Sequence, residues 1–451
     1  MSNSVPEISR RVALGTMATA GLAFVAFGPR GTPEQVGNRL VLEYWEKWTG
    51  HEAAAMQRII DAFNDSQDRI YVRFFSMSGI DQKSMIAIAG GKPPDIIGLW
   101  NFNIPAYAES GAIEPLDELA EAAGIRRDRY VESLWPLLTH RGRLYSAVST
   151  CGSVAMFYNR SILRDAGLDP ERPPRTIEEL DDMSERLTIR EGDGRLRRVG
   201  FMQSHPGWWL WQWGYHFGGN LLDQEANEVL ADSAENVAGY EWVARTAERF
   251  GGRNAETFRS GFGAYSSPQN AFLEGRVAMV QQGPWLANVI DAFRPDMDYA
   301  VAPFPVAESV YGDGSPAGLL DADVLVIPKG AKDPEASMEF IAFVQREEHI
   351  ASLSAAHCKN APLRDMPESF YANHKHRFVR VHDAIANSPR AYHFPRTRAW
   401  PQYQDAMHTA FYSVWSGRSS PLAALEGVKE SVQARLDDIE HKRSLREGVG
   451  T

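Results

Sequence analysis

Cysteine is scarce: Cys151 and Cys358 are the two in 451 residues, and no C-x-x-C pair occurs. That excludes zinc-finger and thioredoxin-type readings. It leaves two buried thiols as the plain expectation, with a disulfide open only if the chain is exported. Long Lys/Arg runs are missing too, and the net charge is -11. An acidic chain without a segregated basic stretch is a poor nucleic-acid binder, so no nucleic-acid partner is expected. Beyond Phe27 no apolar run approaches the ~20 residues of a membrane span. The sequence holds no G-x-S-x-G, no H-E-x-x-H, no P-loop, and no G-x-G-x-x-G between a strand and a helix. Missing motifs argue only weakly against catalysis. No cofactor is expected, and His374, His376 and His382 are read as a solvated helix face because the cations of "HKHR" repel a metal.

What is present is aromatic. Twelve tryptophans are enough to prompt a search for a stacking site as well as a core. The N-terminus carries Arg10-Arg11 before a Gly/Ala/Thr-rich apolar run, Val12 to Phe27. "SRRVAL" resembles a twin-arginine export signal, although Ala13 stands where a bulky residue is usual. No cysteine lies near that run, so a lipoprotein anchor is not expected. The expectation is an exported, periplasmic, soluble body, with an uncleaved membrane anchor as the alternative reading of that run.

Strand and helix signals alternate from the start. "RLVLEYW" reads as a strand. Thr49 and Glu52 then form a candidate capping box for a helix that buries Met56, Ile59, Ile60 and Phe63. "RIYVRFFSM", "DQKSMIAIAGG" and "PDIIGLW" continue as strand, helix and strand. A β-α-β-α-β opening implies parallel pairing in an open α/β sheet. Ligands in such sheets sit beyond the carboxyl ends of the strands. Trp45 and Trp48 follow the first strand, and Trp100 and Asn101 the third. Later come a second Thr-x-x-Glu box at Thr176, the dense "HPGWWLWQWGYHFGG", a Gly-Pro-Trp turn at Trp285, and Asp333 capping a helix. The C-terminal part reads as mostly helical.

Five strings, in order, resemble one family, the carbohydrate-type (family 1) extracellular solute-binding proteins of ABC importers. They are "GGKPPDIIGLW", "YAESGAIEPLDEL", "MFYNRSILRDAGLDPERPPRTIEEL", "AFLEGRVAMVQQGPW" and "VLVIPKGAKDPEASMEFIAFV". The resemblance implies a two-lobed periplasmic-binding-protein fold, α/β in class. Each lobe would be an open, mainly parallel sheet flanked by helices, with the ligand cleft between. Residues 1–39 would be signal and linker, 40–148 with 300–351 lobe 1, and 149–299 with 352–451 lobe 2. The implied function is capture of a mono- to oligosaccharide by hinge closure and delivery to the ABC permease, by a monomer that is not an enzyme. A polyol, an amino sugar or a charged solute is the alternative ligand, and an exported carbohydrate-active enzyme the remote one.

A pyranose has apolar faces and polar edges, so its site needs rings and carboxylates together. The stacking candidates are Trp45, Trp48, Trp100, Trp209 and Trp285. The polar candidates are Glu46, Asn101, Asp321, Asp323 and Arg364. Asp321 and Asp323 stand in "GLLDADV", where many family members carry Gly-Gly. Arg364, Arg396 and Arg398 keep an anionic ligand open. Of Trp208, Trp209, Trp211 and Trp213, one or two are expected in the cleft and the rest in the core.

Overall fold

Strand β1 (Leu40–Glu46) opens the computed structural model, which describes residues 36–312 and 314–448. The expected export signal lies outside the described residues. Helix α1 (Gly50–Ser66) follows and buries Met56, Ile59, Ile60 and Phe63 as the 3.6-residue spacing requires. Its start differs from expectation. Thr49 is the N-cap in extended conformation, but its side chain caps nothing. Glu52 turns instead toward the cleft described below. At Thr176 the hydroxyl does accept the Glu179 N–H at 3.2 Å, and Asp333 Oδ1 accepts the Ala336 N–H at 2.9 Å.

The chain continues through β2 (Ile70–Ser76), α2 (Ile80–Ala89) and β3 (Ile96–Trp100). β1 lies between β2 and β3 and is parallel to both, with Leu40 opposite Ile70 and Tyr44 opposite Ile96. Strand β4 (Ala147–Ser153) leads through Val154 into β5 (Ala155–Asn159), and that junction carries the chain from one sheet to another. The second sheet holds β5 between β6 (Met279–Gln282) and β7 (Tyr299–Ala302), both antiparallel to it. Parallel pairing therefore holds among β1, β2 and β3 of the first lobe and not among these three strands of the second. The chain returns in β8 (Gly318–Val326), antiparallel to both β3 and β4. A short β9 (Ala391–Tyr392) pairs with the start of β8.

Two separate apolar cores pack against these sheets. One gathers Leu42, Tyr44, Ile60, Leu99, Leu325 and Phe340. The other gathers Phe157, Trp211, Trp242, Tyr240, Phe304 and Phe411. Each fully buried large side chain contributes about 1.5–3 kcal/mol, so each lobe carries its own driving force. The lobes trade segments relative to the sequence-drawn limits. Residues 300–302 of β7, grouped with 300–351, pair in the second sheet, where Ala300 lies opposite Tyr158 and Ala302 opposite Met156. Leu353 and Leu363, grouped with 352–451, pack in the first core. Helices α3 (Trp400–Trp415) and α4 (Pro421–Gly448) close the chain against the second core.

The histidines of "HKHR" are a correction. His374, His376 and His382 are buried, not a solvated face. His374 Nε2 lies 3.0 Å from Lys359 O, His382 Nδ1 lies 2.7 Å from Ser153 O, and His376 stacks on Phe157 at 5.8 Å. Both cysteines are free, and no disulfide joins them. Cys151 Sγ meets Asn360 O at 3.5 Å and Cys358 Sγ meets Asn288 Oδ1 at 3.2 Å. Among the described residues no helix is long and apolar enough to cross a membrane, and no group of three His, Cys, Asp or Glu side chains is placed to hold a metal.

Candidate functional site

The carboxyl ends of β1 and β3 and the first half of β8 open onto a cleft of about 780 Å³ between the lobes. Its first-lobe wall carries Lys47, Trp48, Trp100, Asp321, Asp323 and Lys359. Trp208, Trp209, Tyr265, Trp285 and Asn288 face them from the second lobe. The rings are held by one another. Trp100 stacks on Phe102 (5.6 Å, 9° between planes), and Trp208 meets Tyr265 at 4.8 Å. Trp209 lies 6.2 Å from Trp285. Trp285 precedes the helix Leu286–Phe293, and its ring needs two glycines beneath it. A Cβ on Gly283 would lie 2.3 Å from that ring, and one on Gly152 would lie 3.2 Å from it.

Charges alternate along the floor. Asp323 is 4% exposed and accepts from Lys47 Nζ at 3.0 Å, Thr150 Oγ1 at 2.6 Å, and Lys359 Nζ. Lys47 Nζ also reaches Glu46 Oε1 at 3.1 Å and Leu99 O at 3.1 Å. Glu46 is fully buried and takes the Tyr44 hydroxyl at 2.5 Å. Gly98 makes room for it, because a Cβ there would lie 1.9 Å from the Glu46 carboxylate. Burial alone would raise Asp323, yet Lys359 and Lys47 hold it well below the usual carboxylate range. Burial alone would lower both lysines, yet Asp323 keeps each raised. Both cations stay charged with their partners engaged. Lys47 Nζ sits 5.0 Å from the Trp48 ring and 5.2 Å from Trp100, and Lys359 Nζ 5.4 Å from Trp285. These contacts tie the stacking rings to the ion network.

Asp321 is different. Its Oδ1 is sealed from water and has no hydrogen-bond partner. Burial, with Asp323 adding repulsion, pushes its carboxyl up to about 7. Glu52 also lines the cleft and is raised by burial. It approaches His357 Nδ1 at 3.9 Å, and burial lowers that imidazole to about 3.

Six sequence-predicted residues meet in the cleft: Trp48, Trp100, Trp209, Trp285, Asp321 and Asp323. Four do not line it. Trp45 lies on the opposite face of β1 from Tyr44 and Glu46 and packs on the first core. Glu46 lies beneath Lys47. Asn101 Oδ1 accepts the Ala322 N–H at 3.0 Å and so fixes β8 rather than facing the opening. Arg364 is exposed elsewhere, its N–H on Arg129 O at 2.9 Å. Arg396 donates to Pro136 O at 2.8 Å and Arg398 lines a different groove. Of the four clustered tryptophans, Trp208 and Trp209 line the cleft, while Trp211 and Trp213 are core. Sequence reasoning missed Lys47, Glu52, Lys359, Tyr265 and Asn288. Lys47 stood between two flagged tryptophans, and an unpaired-looking lysine there was the available signal. Lys359 had none, because it reaches the floor from the chain after the helix Glu347–Ala356.

A family model described as bacterial extracellular solute-binding protein matches residues 47–350. The chain is 24% identical over 267 residues to a maltotriose-binding protein of Pyrococcus abyssi, covering 58% of this chain and 52% of that one. It thus spans about half of that relative's length. It is 22% identical over 426 residues to the sn-glycerol-3-phosphate-binding periplasmic protein UgpB of Pectobacterium atrosepticum, covering 88% of this chain and 92% of that one. The solved structure of CpMnBP1 with mannobiose bound superposes with a TM-score of 0.75 at 25% identity, covering 87% of this chain and all (100%) of that one.

Proposed function

The chain belongs to the bacterial extracellular solute-binding protein family, and on that premise we propose that its cleft captures a neutral saccharide for an ABC importer. The observation that carries this is the pairing of rings from both lobes with a floor whose lysines are already neutralised. A pyranose entering the cleft lays its C–H faces on Trp48, Trp100, Trp209 and Trp285. Its hydroxyls address Asp321 and Asn288, while Asp323 holds the two lysines of the floor in place. Because rings come from both walls, the ligand is fully enclosed only when the lobes approach, and that closure desolvates the polar contacts. The closed form is what a membrane permease would read. Binding without turnover is the reading: Asp323, the cleft carboxylate held ionised, is tied by two lysines and Thr150 and is not free to act as a nucleophile. Export through the twin-arginine signal would place the protein in the periplasm, as a monomer and without a lipid anchor.

The UgpB relative, which spans most of both chains, favours a second reading, a glycerol phosphate. A phosphate needs cations with unspent donors. Here both cleft lysines are engaged by Asp323, and among the described residues no arginine lines the cleft. A thermal-shift series separates the readings. Mannobiose, mannotriose and maltotriose are tested beside sn-glycerol 3-phosphate. Ligand at 100 times its Kd stabilises by about 2.7 kcal/mol, so at least one saccharide is expected to raise the melting temperature. A response to the phosphate alone would reverse the assignment.

A further inference from the structure

Asp321 and Asp323 sit two residues apart on β8, share one face of the strand and both line the cleft. Their surroundings differ in kind. Asp323 is saturated by Lys47, Lys359 and Thr150. Asp321 has an oxygen shut off from water and paired with nothing. The adjacent Ala322 N–H goes to Asn101 Oδ1 at 3.0 Å, and its residual pull on the Asp321 carboxyl is outweighed by burial. Leaving a buried acceptor in that state is costly. A proton relieves it, and so does a ligand donor that engages the carboxyl from the cleft, to which the residue as a whole is partly exposed.

The groups around Asp321 come from every neighbouring element. Asp323 is on its own strand, Lys47 follows β1, Cys151 lies on the paired strand β4, and Lys359 follows the helix Glu347–Ala356. Glu52 and His51 come from the first turn of α1, and Tyr265 faces them from the second lobe. Counting the buried Glu46, the floor and wall hold four carboxyls (Glu46, Glu52, Asp321, Asp323) against two lysines. With the lysines spent on Asp323 and Glu46, an unliganded cleft favours a proton on Asp321. This agrees with the upward push on its carboxyl to about 7.

We propose that Asp321 is the specificity-determining acceptor of the cleft, its proton being exchanged for a pair of ligand hydroxyl donors, so that binding is coupled to proton release. This rests on the saccharide reading and narrows it. The ligand edge at β8 must present free neighbouring hydroxyls, and an edge that is acylated, etherified or anionic is refused. The balance is simple: the carboxyl gives one proton to solvent, and the sugar hydroxyls keep theirs while sharing them with the carboxylate.

Isothermal titration tests this at pH 6 and pH 8, each in two buffers of unlike ionisation heat. The probe is whichever of mannobiose, mannotriose and maltotriose gives the largest thermal shift. Affinity is expected to be about tenfold higher at pH 8 than at pH 6, and about half a proton is released per ligand near pH 7. Asp321→Asn is expected to bind more weakly and equally at both pH values. Wild-type affinity that is the same at both pH values, with no buffer-dependent heat, overturns the proposal. So does affinity that falls as pH rises, because Asp321 would then be donating its proton. Should the variant not fold, the wild-type buffer series decides alone. Absence of binding by any saccharide overturns the saccharide reading itself, whereas binding without proton release overturns only this inference.

Discussion

Asp323 shows how one side chain on β8 carries both fold and site. It holds Lys47 and Lys359 on the cleft floor, and each lysine in turn lies over a tryptophan. Asp323→Asn removes the carboxylate charge shared by both lysines, leaving Lys359 on Thr150 and Lys47 on Glu46 and Leu99 O. Breaking a buried pair from one side costs about 3–5 kcal/mol, and that loss is expected in urea unfolding of the empty protein at pH 7. The pH dependence follows from the sign of the shift. The folded-state carboxyl is held below its unfolded value, so its stabilisation is complete above the unfolded pKa of about 3.9. It is lost as pH falls through the folded value. The gap between wild type and variant should therefore persist from pH 8 to pH 5 and close only in stronger acid. A gap that is already absent at pH 7 would show the network to be ornamental. Much of this was legible: the two aspartates stood out in "GLLDADV". What could not be read was the partner, since Lys359 is 36 residues away and no local pattern links the two.

At the scale of elements, strand ends were readable and side-chain parity was not. The β-α-β opening placed Trp48 and Trp100 at the carboxyl ends of parallel strands, and the structure puts both in the cleft. Trp45 failed because one residue of parity sends it to the other face of β1. Glu52 failed in a different way. Its spacing from Thr49 suits a capping box, but the cleft takes its carboxylate and the helix goes uncapped by side chain. In "PGWWLWQWGY" there is no regular period to read, because the stretch is irregular until the 3-10 turn Trp213–Phe217. Trp285 and Trp211 make the distinction testable. Trp285 is half-buried above Gly283 and Gly152, whereas Trp211 is fully buried against Trp400 at 5.1 Å. Trp285→Ala should weaken saccharide binding about 10- to 100-fold, the equivalent of about 1.5–3 kcal/mol of lost ring burial. Its effect on the unfolding midpoint should be small. Trp211→Ala should cost about 3–5 kcal/mol of stability and leave the affinity of the folded fraction nearly unchanged. Calorimetric titration and urea unfolding of both variants give the four numbers. Equal effects on binding would show that the second-lobe wall is not where the rings place it.

Across the whole molecule, two cores are joined where the chain crosses at Val154, between β7 and β8, and after Leu363. Buried histidines gather at or near these joints. His382 lies against Ser153 beside the first crossing, His357 packs edge-on to Trp48 under the cleft at 4.5 Å, and His216 meets Phe304 at 4.5 Å. All three are fully buried. Burial lowers His382 to about 4 and both His216 and His357 to about 3. A histidine lowered by folding takes up a proton more readily when unfolded. Its contribution is therefore complete above about pH 6.5 and is lost as pH falls toward the folded value. Each such group imposes a slope of about 1.4 kcal/mol per pH unit in that window. Asp321, Asp383 and Glu52 act oppositely, because burial raises them and their proton is retained on folding. They offset part of the slope, but His205, His374, His376 and His393 are lowered as well. The histidines therefore prevail. The protein is expected to be most stable above pH 6.5 and to lose several kcal/mol between pH 7 and pH 5, with net proton uptake on unfolding. Urea midpoints measured at half-unit steps across that range check it. A flat profile would mean that the histidines at the joints are hydrated in solution and the lobes less tightly joined than the packing requires.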